Sequence, residues 1–219
     1  MKNITKQTTI ALGFALLAVA LFGGAFVYQN LAAPEPADAS ERKNITVRAD
    51  SHRLSTAEDD KVTLVEFLDF ECEACGAAYP FIEDLREKYD GKVTFVARYF
   101  PIPSHTNANN AAYAVESAAR QGKFEDMYKR MYETQAQWGE SQDSKAALFR
   151  TYAVDLGLDM AKYDADVASP DVAARVHKDI DDGTKLGVSG TPSFYLNGER
   201  LIPSTTEEFV QAIEDALAK

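Results

Sequence analysis

Apolar and polar positions divide this chain before any residue is assigned chemistry. From Thr9 to Tyr28, TIALGFALLAVALFGGAFVY, twenty consecutive residues carry no charge. As a helix such a run spans about 30 Å, the thickness of a bilayer's hydrocarbon core, and it is apolar on every face. Residues 9–30 are therefore predicted to form a transmembrane anchor. Residues 1–8, with Lys2 and Lys6, then lie on the cytoplasmic side and the rest of the chain outside. The rival reading is a cleaved signal peptide, whose apolar region is ordinarily shorter; Ala-Asp-Ala at 37–39 resembles a cleavage site but sits well beyond the apolar run. Residues 31–44, LAAPEPADASERKN, are rich in Ala and Pro and poor in apolar bulk, the composition of a linker.

The pattern changes from residue 45 onward. Val62 to Phe70, VTLVEFLDF, is apolar and β-branched with neither face polar, as expected of a central strand covered on both sides. Ala78, Phe81, Ile82, Leu85 and Tyr89 then recur at helical spacing, with Pro80 expected to kink the helix and Asp90-Gly91 to end it. KVTFVARYF (92–100) reads as a second strand, so the unit is a parallel strand–helix–strand crossover. From about 106 to 186 the periodicity is helical, broken by Gly, Ser or Pro. SFYLNGERLI (193–202) predicts a hairpin turning at Asn197-Gly198, and Thr205 with Glu208 predicts a capping box opening a last helix. The expected architecture at 45–219 is an α/β domain, βαβ…ββα, interrupted by a helical insertion at about 106–186.

Charge narrows the partners. The net charge is -11, and Lys2, Lys6, Glu35 and Asp38 cancel, so the whole excess belongs to residues 40–219. An acidic body of this kind has no electrostatic footprint for nucleic acid or anionic lipid.

The chain has two cysteines, Cys72 and Cys75, in DFECEACGAAYP. A structural zinc site needs four ligands, and His52, His105 and His177 are scattered, so no metal is expected. A static crosslink would close a tiny loop and constrain little of the unfolded chain. A pair cycling between dithiol and disulfide accounts for the position. Cys72 falls where strand gives way to helix, so the helix dipole and unpaired N–H groups favour its thiolate. Cys75, one turn on, is placed to resolve a mixed disulfide formed at Cys72.

Other residues stand out nearby. Glu66 shares a strand face with apolar Val62, Leu64, Leu68 and Phe70. It is either a desolvated acid with a raised pKa, suited to accept the resolving thiol's proton, or a glutamate satisfied at the sheet margin. Arg98 in the second strand is either its electrostatic partner or surface-pointing. Thr191-Pro192, just before a strand, fits a cis peptide or an ordinary trans turn. His105 follows the second strand and reads as a residue of an exposed loop or of the active-site rim, and Trp138 as a core residue.

Together VEFLDFECEAC and, about 115 residues later, VSGTPSF resemble the DsbA-like thiol–disulfide oxidoreductases of the thioredoxin superfamily, over roughly residues 45–219. The resemblance implies a thioredoxin-like fold with a helical insertion. It makes Cys72 and Cys75 the redox-active pair, Glu66 the family's buried acid and Pro192 the cis-proline, with Thr191 offering its backbone to a substrate peptide. No cofactor beyond the Cys72–Cys75 disulfide is implied. The expected role is a membrane-anchored oxidase that introduces disulfides into exported or cell-surface client proteins and is reoxidised by a membrane protein of the DsbB or VKOR type. A reductase, an isomerase and a non-turning-over client-binding module are the alternatives. One departure bears on direction: strongly oxidising members carry Pro-His between the cysteines, whereas this chain carries Glu73-Ala74. The Glu73 charge is expected to raise the pKa of Cys72 and make the pair less oxidising.

Overall fold

The computed structural model describes residues 39–59 and 61–219. In chain order the elements are α1 (Ala39–Thr46), β1 (His52–Ser55), β2 (Thr63–Leu68), α2 (Glu73–Lys88) and β3 (Thr94–Tyr99). The helices α3 (Ala108–Ala119), α4 (Phe124–Glu133), α5 (Ala146–Asp155), α6 (Met160–Val167) and α7 (Pro170–Lys185) follow, then β4 (Ser193–Leu196), β5 (Glu199–Leu201) and α8 (Thr206–Leu217). The strands form one sheet in the order β1-β3-β2-β4-β5. β2 and β3 run parallel, and every other neighbouring pair is antiparallel. The βαβ…ββα order and the helical insertion stand as read from the sequence.

The central strand is covered on both faces. Leu64 and Leu68 join the core that includes Ile82 and Leu85 of α2. Val65 and Phe67 point the other way, into a second core with Val96, Phe100, Val188 and Tyr195. Burying a side chain such as Phe67 contributes about 1.5–3 kcal/mol. α7 lies close over this second core because Gly183 has no side chain: a Cβ there would sit 2.8 Å from the Phe100 ring and 3.1 Å from that of Phe67.

Local signals were realised where they were strong. Asn197 (φ 53°) and Gly198 (φ 87°) supply the two positive φ angles of a tight hairpin turn. Thr205 Oγ1 caps the Glu208 N–H at 3.2 Å, and the Glu208 carboxylate reaches back to the Ser204 N–H at 2.7 Å. Pro80 lies inside α2, which continues to Lys88.

Two expectations change, and one strand appears that was not expected. The 31–44 linker ends sooner, because α1 begins at Ala39 and is joined to the sheet by Arg42, whose guanidinium meets Glu199 of β5 at 2.8 Å. β1, with sequence HRLS, is too short and polar to betray itself, yet it pairs antiparallel with β3 and closes that edge of the sheet. Arg98 neither pairs with Glu66 nor points to solvent. The parallel register sets Glu66 beside Ala97 and Phe67 beside Arg98, so Arg98 emerges on the face opposite Glu66. There it is fully buried, with Nε on Asp179 at 2.7 Å, one terminal nitrogen on Asp182 at 2.6 Å, and the other on the carbonyls of Ile45 and Thr46. The predicted anchor at 9–30 lies outside the described residues; among those described, no helix is long and apolar enough to cross a membrane.

Candidate active site

β2 delivers the chain to the site and α2 receives it. Cys72 occupies the N-cap position of α2 in extended conformation (φ −67°, ψ 120°), and no side chain caps the helix there. The leading amides of α2 are therefore free to serve the sulfur. The charged form of Cys72 is favoured first by the S–H of Cys75, then by Thr191 and by the backbone N–H groups of Cys75 and Ala74. These bonds outweigh partial burial and bring its pKa down to about 5. In the thiol form, Cys72 donates to the Thr191 carbonyl at 3.4 Å. Cys75 is buried, and burial, the bond to Cys72 and the proximity of Glu66 push its thiol well above the ordinary range. Both cysteines are free thiols here. At neutral pH the nucleophile is thus a thiolate and its neighbour stays protonated. The rise in Cys72 pKa expected from Glu73 is corrected: Glu73 is exposed to water, and the converging donors win.

Thr191-Pro192 is a cis peptide bond opposite the pair. It arrives there because β4 pairs antiparallel with β2, Ser193 beside Phe67 and Phe194 beside Glu66. Glu66 is buried under the pair, and its carboxyl is raised to about 8, chiefly by desolvation, with the charges of Glu83 and Cys72 adding to it. The structure thus brings together Cys72, Cys75, Glu66, Thr191 and Pro192, and sets Arg98 apart.

The sequence reading missed several contributors. Asp69 is buried, its carboxylate accepting from the N–H groups of Glu71 and Ile102 (both 2.9 Å) and meeting His105 Nδ1 at 2.7 Å. Burial still pushes its pKa up, with those bonds opposing. A hollow of about 380 Å³ beside Cys72 is lined by Glu71, Glu73, His105, Thr106 and Glu140, which puts His105 on the rim. Buried Glu71 accepts from the Asn107 N–H and ties the Cys72 turn to the start of α3. Gln135, from the insertion, donates to the Phe70 and Cys72 carbonyls. The Asp69 and Glu71 signal was present in DFEC, two acids flanking the strand end; nothing local marked Gln135. Trp138 is a core residue, its ring 4.8 Å from that of Phe149. Among the described residues, no group of three or more His, Cys, Asp or Glu side chains is placed to hold a metal.

Glu66→Gln is expected to stabilise the protein. The carboxyl titrates at about 8 when folded but near 4.5 when free, so the unfolded chain releases its proton first. Stability is then fully present below about pH 4.5 and declines as pH rises through about 8. Removing the titration should add on the order of 2–3 kcal/mol at pH 7 and little at pH 4. Denaturant melts at the two pH values check this; an equal change at both would show that desolvation of the charge is not the cause.

The fold and the site define a thioredoxin-like α/β protein with a helical insertion and a dithiol at the N-terminus of its first long helix. Residues 53–215 match the family model described as Thioredoxin, and the chain belongs to that family. Among solved structures it is similar to oxidised BdbD from Bacillus subtilis, with TM-score 0.68 and 21% identity over 77% of this chain and 94% of that one. It is also similar to a thioredoxin-like oxidoreductase from Silicibacter pomeroyi DSS-3, with TM-score 0.64 and 27% identity over 77% of this chain and 92% of that one. Among curated proteins, the Na(+)/H(+) antiporter NhaA 1 of Mycobacterium sp. (strain KMS) is 35% identical over 147 residues, 65% of this chain. The chain spans 23% of that relative's length.

Proposed function

We propose that this protein is an extracytoplasmic thiol–disulfide oxidoreductase, tethered through residues 9–30, that introduces disulfides into exported or cell-surface proteins. The observation that carries the proposal is the Cys72 thiolate, with a pKa of about 5, facing the cis Thr191-Pro192 peptide. A thiolate stabilised this strongly favours the reduced pair and so makes the disulfide oxidising. The oxidoreductase name of the Silicibacter neighbour supports the same class of chemistry. The antiport named for the partial curated relative has no counterpart in the Cys72–Cys75 site and forms no part of the proposal.

In the oxidised protein a client thiolate attacks the Cys72 sulfur. The Cys72–Cys75 bond breaks, its electron pair leaves on Cys75, and Cys75 takes up a proton, with Glu66 as the exchanging acid beneath it. A second client thiolate attacks the client sulfur of the mixed disulfide and expels Cys72 as a thiolate. The client has lost two electrons and two protons, and the pair has gained the electrons. A membrane oxidant of the DsbB or VKOR type then withdraws them. Thr191 holds the client segment alongside by its backbone while these attacks align.

The test is the reduction potential of the full chain equilibrated with glutathione buffers. An oxidant is expected at about −120 to −180 mV; a value near about −270 mV would make the protein a reductant and overturn the oxidase reading.

A further inference from the structure

The N-terminus of α2 has no cap of its own, and its geometry is held from the helical insertion. Gln135 opens the 3₁₀ turn, Gln135–Gln137, that follows α4. The backbone there is secured by the N–H groups of Trp138 and Gly139, which donate to the Gln135 carbonyl at 3.0 and 2.7 Å, and by the buried Trp138 ring. From this footing the Gln135 side chain crosses to the redox turn. Its Nε2 donates to the Phe70 carbonyl at 2.7 Å and to the Cys72 carbonyl at 2.9 Å. Both hydrogens of one amide nitrogen are thus committed to the three residues that deliver the nucleophile. The Cys72 carbonyl also accepts the helix's own bond from the Gly76 N–H at 3.0 Å.

Room for the carboxamide exists because residue 76 is glycine. A Cβ at Gly76 would lie 2.0 Å from Gln135 Oε1 and 2.7 Å from its Cδ. This glycine has no positive φ to justify it, so the close approach is what requires it.

We propose that Gln135 is a positioning residue for thiol–disulfide exchange: its carboxamide, seated against the bare turn at Gly76, clamps the Phe70 and Cys72 carbonyls and so holds the Cys72 sulfur over the amides of Ala74 and Cys75. The proposal rests on the exchange reading for its purpose, but the clamp itself is a separate claim about geometry. Hydrogen bonds to a thiolate weaken steeply with misalignment, so a turn free to drift gives up part of the stabilisation that its amides supply. The titratable groups around the sulfur are Cys75 on α2, Glu66 on β2, Glu71 and Glu73 beside the turn, and His105 and Glu140 across the hollow. Replacing Gln135 by a neutral residue changes none of their charges.

The experiment titrates the Cys72 thiolate in the reduced full chain, by ultraviolet absorbance and by alkylation rate against pH. Gln135→Met keeps the length and loses both donors. Its midpoint should rise by about one unit, slowing alkylation at about pH 5.5 roughly threefold. Gly76→Ala should do the same from the other side of the contact by displacing the carboxamide, at a position where alanine favours the helix. The double variant should shift no further than either single one, because each breaks the same contact. An unchanged midpoint in both, a shift in only one, or additive shifts would overturn the clamp. If Gln135→Met fails to fold by circular dichroism, an unchanged midpoint in Gly76→Ala alone overturns it and a raised one supports it. Turnover of a client dithiol is read separately. A wild-type protein without turnover would remove the exchange reading and leave the titration to judge the clamp.

Discussion

Cys72→Ser should reduce disulfide exchange with a client dithiol to the uncatalysed background. Serine places a hydroxyl where the structure places a thiolate with a pKa of about 5, and an alkoxide is not available at neutral pH to form the mixed disulfide. No other cysteine in the sequence can substitute except Cys75, which is buried and held protonated. The expected loss is therefore complete, whereas Cys75→Ser should still attack an external disulfide and accumulate a mixed disulfide through Cys72. Client oxidation followed by thiol trapping and mass measurement separates the two variants. Full activity of Cys72→Ser in a client-folding assay would reduce the protein to a client-binding module and end the catalytic reading.

Arg98→Met should cost about 3–5 kcal/mol of stability while leaving the Cys72 titration where it is. Arg98 is fully buried and holds Asp179 and Asp182, themselves almost completely buried. Removing the guanidinium strands two desolvated carboxylates and frees the carbonyls of Ile45 and Thr46 that it binds. Arg175, 2.7 Å from Asp179, and Arg48, bonded to Asp182, remain as partial substitutes and should keep the loss within that range. Burial alone would raise Asp182, but its bonds to Arg48 and Arg98 outweigh it and hold the carboxyl below its ordinary value. A lowered carboxyl pKa contributes stability that is present at neutral pH and lost as pH falls through the folded value, so the deficit of Arg98→Met should shrink on acidification. Denaturant unfolding at pH 7 and at about pH 2.5, below the carboxyl's ordinary value of 3.8, measures both effects. A loss below about 1 kcal/mol would mean the network is dispensable to the fold.

How much of this was legible beforehand depends on the range of each interaction. The strands β2 and β3, the crossover helix, the hairpin at Asn197-Gly198 and the cap at Thr205 rest on periodicity or on residues within a few positions of one another, and all were realised. Cys72 and Cys75 were legible for the same reason, since a strand end, a helix start and a three-residue spacing are local. The fate of Arg98 was not. A charged residue in an apolar strand signals a buried partner but not which face it takes, and a register of one residue decides between Glu66 and Asp179.

By itself, then, the sequence determined the order of elements from β2 onward, the cysteine pair and its position at a helix N-terminus, because propensity, capping and side-chain periodicity act over single turns. Only the tertiary structure decided what the pair would be chemically. The Cys72 pKa depends on Thr191, 119 residues away, and its turn on Gln135, 63 residues away. The Glu73 charge, adjacent in sequence and facing water, loses to them: hydrogen bonds fixed in a partly desolvated site act more strongly on a thiolate than a neighbouring charge screened by solvent.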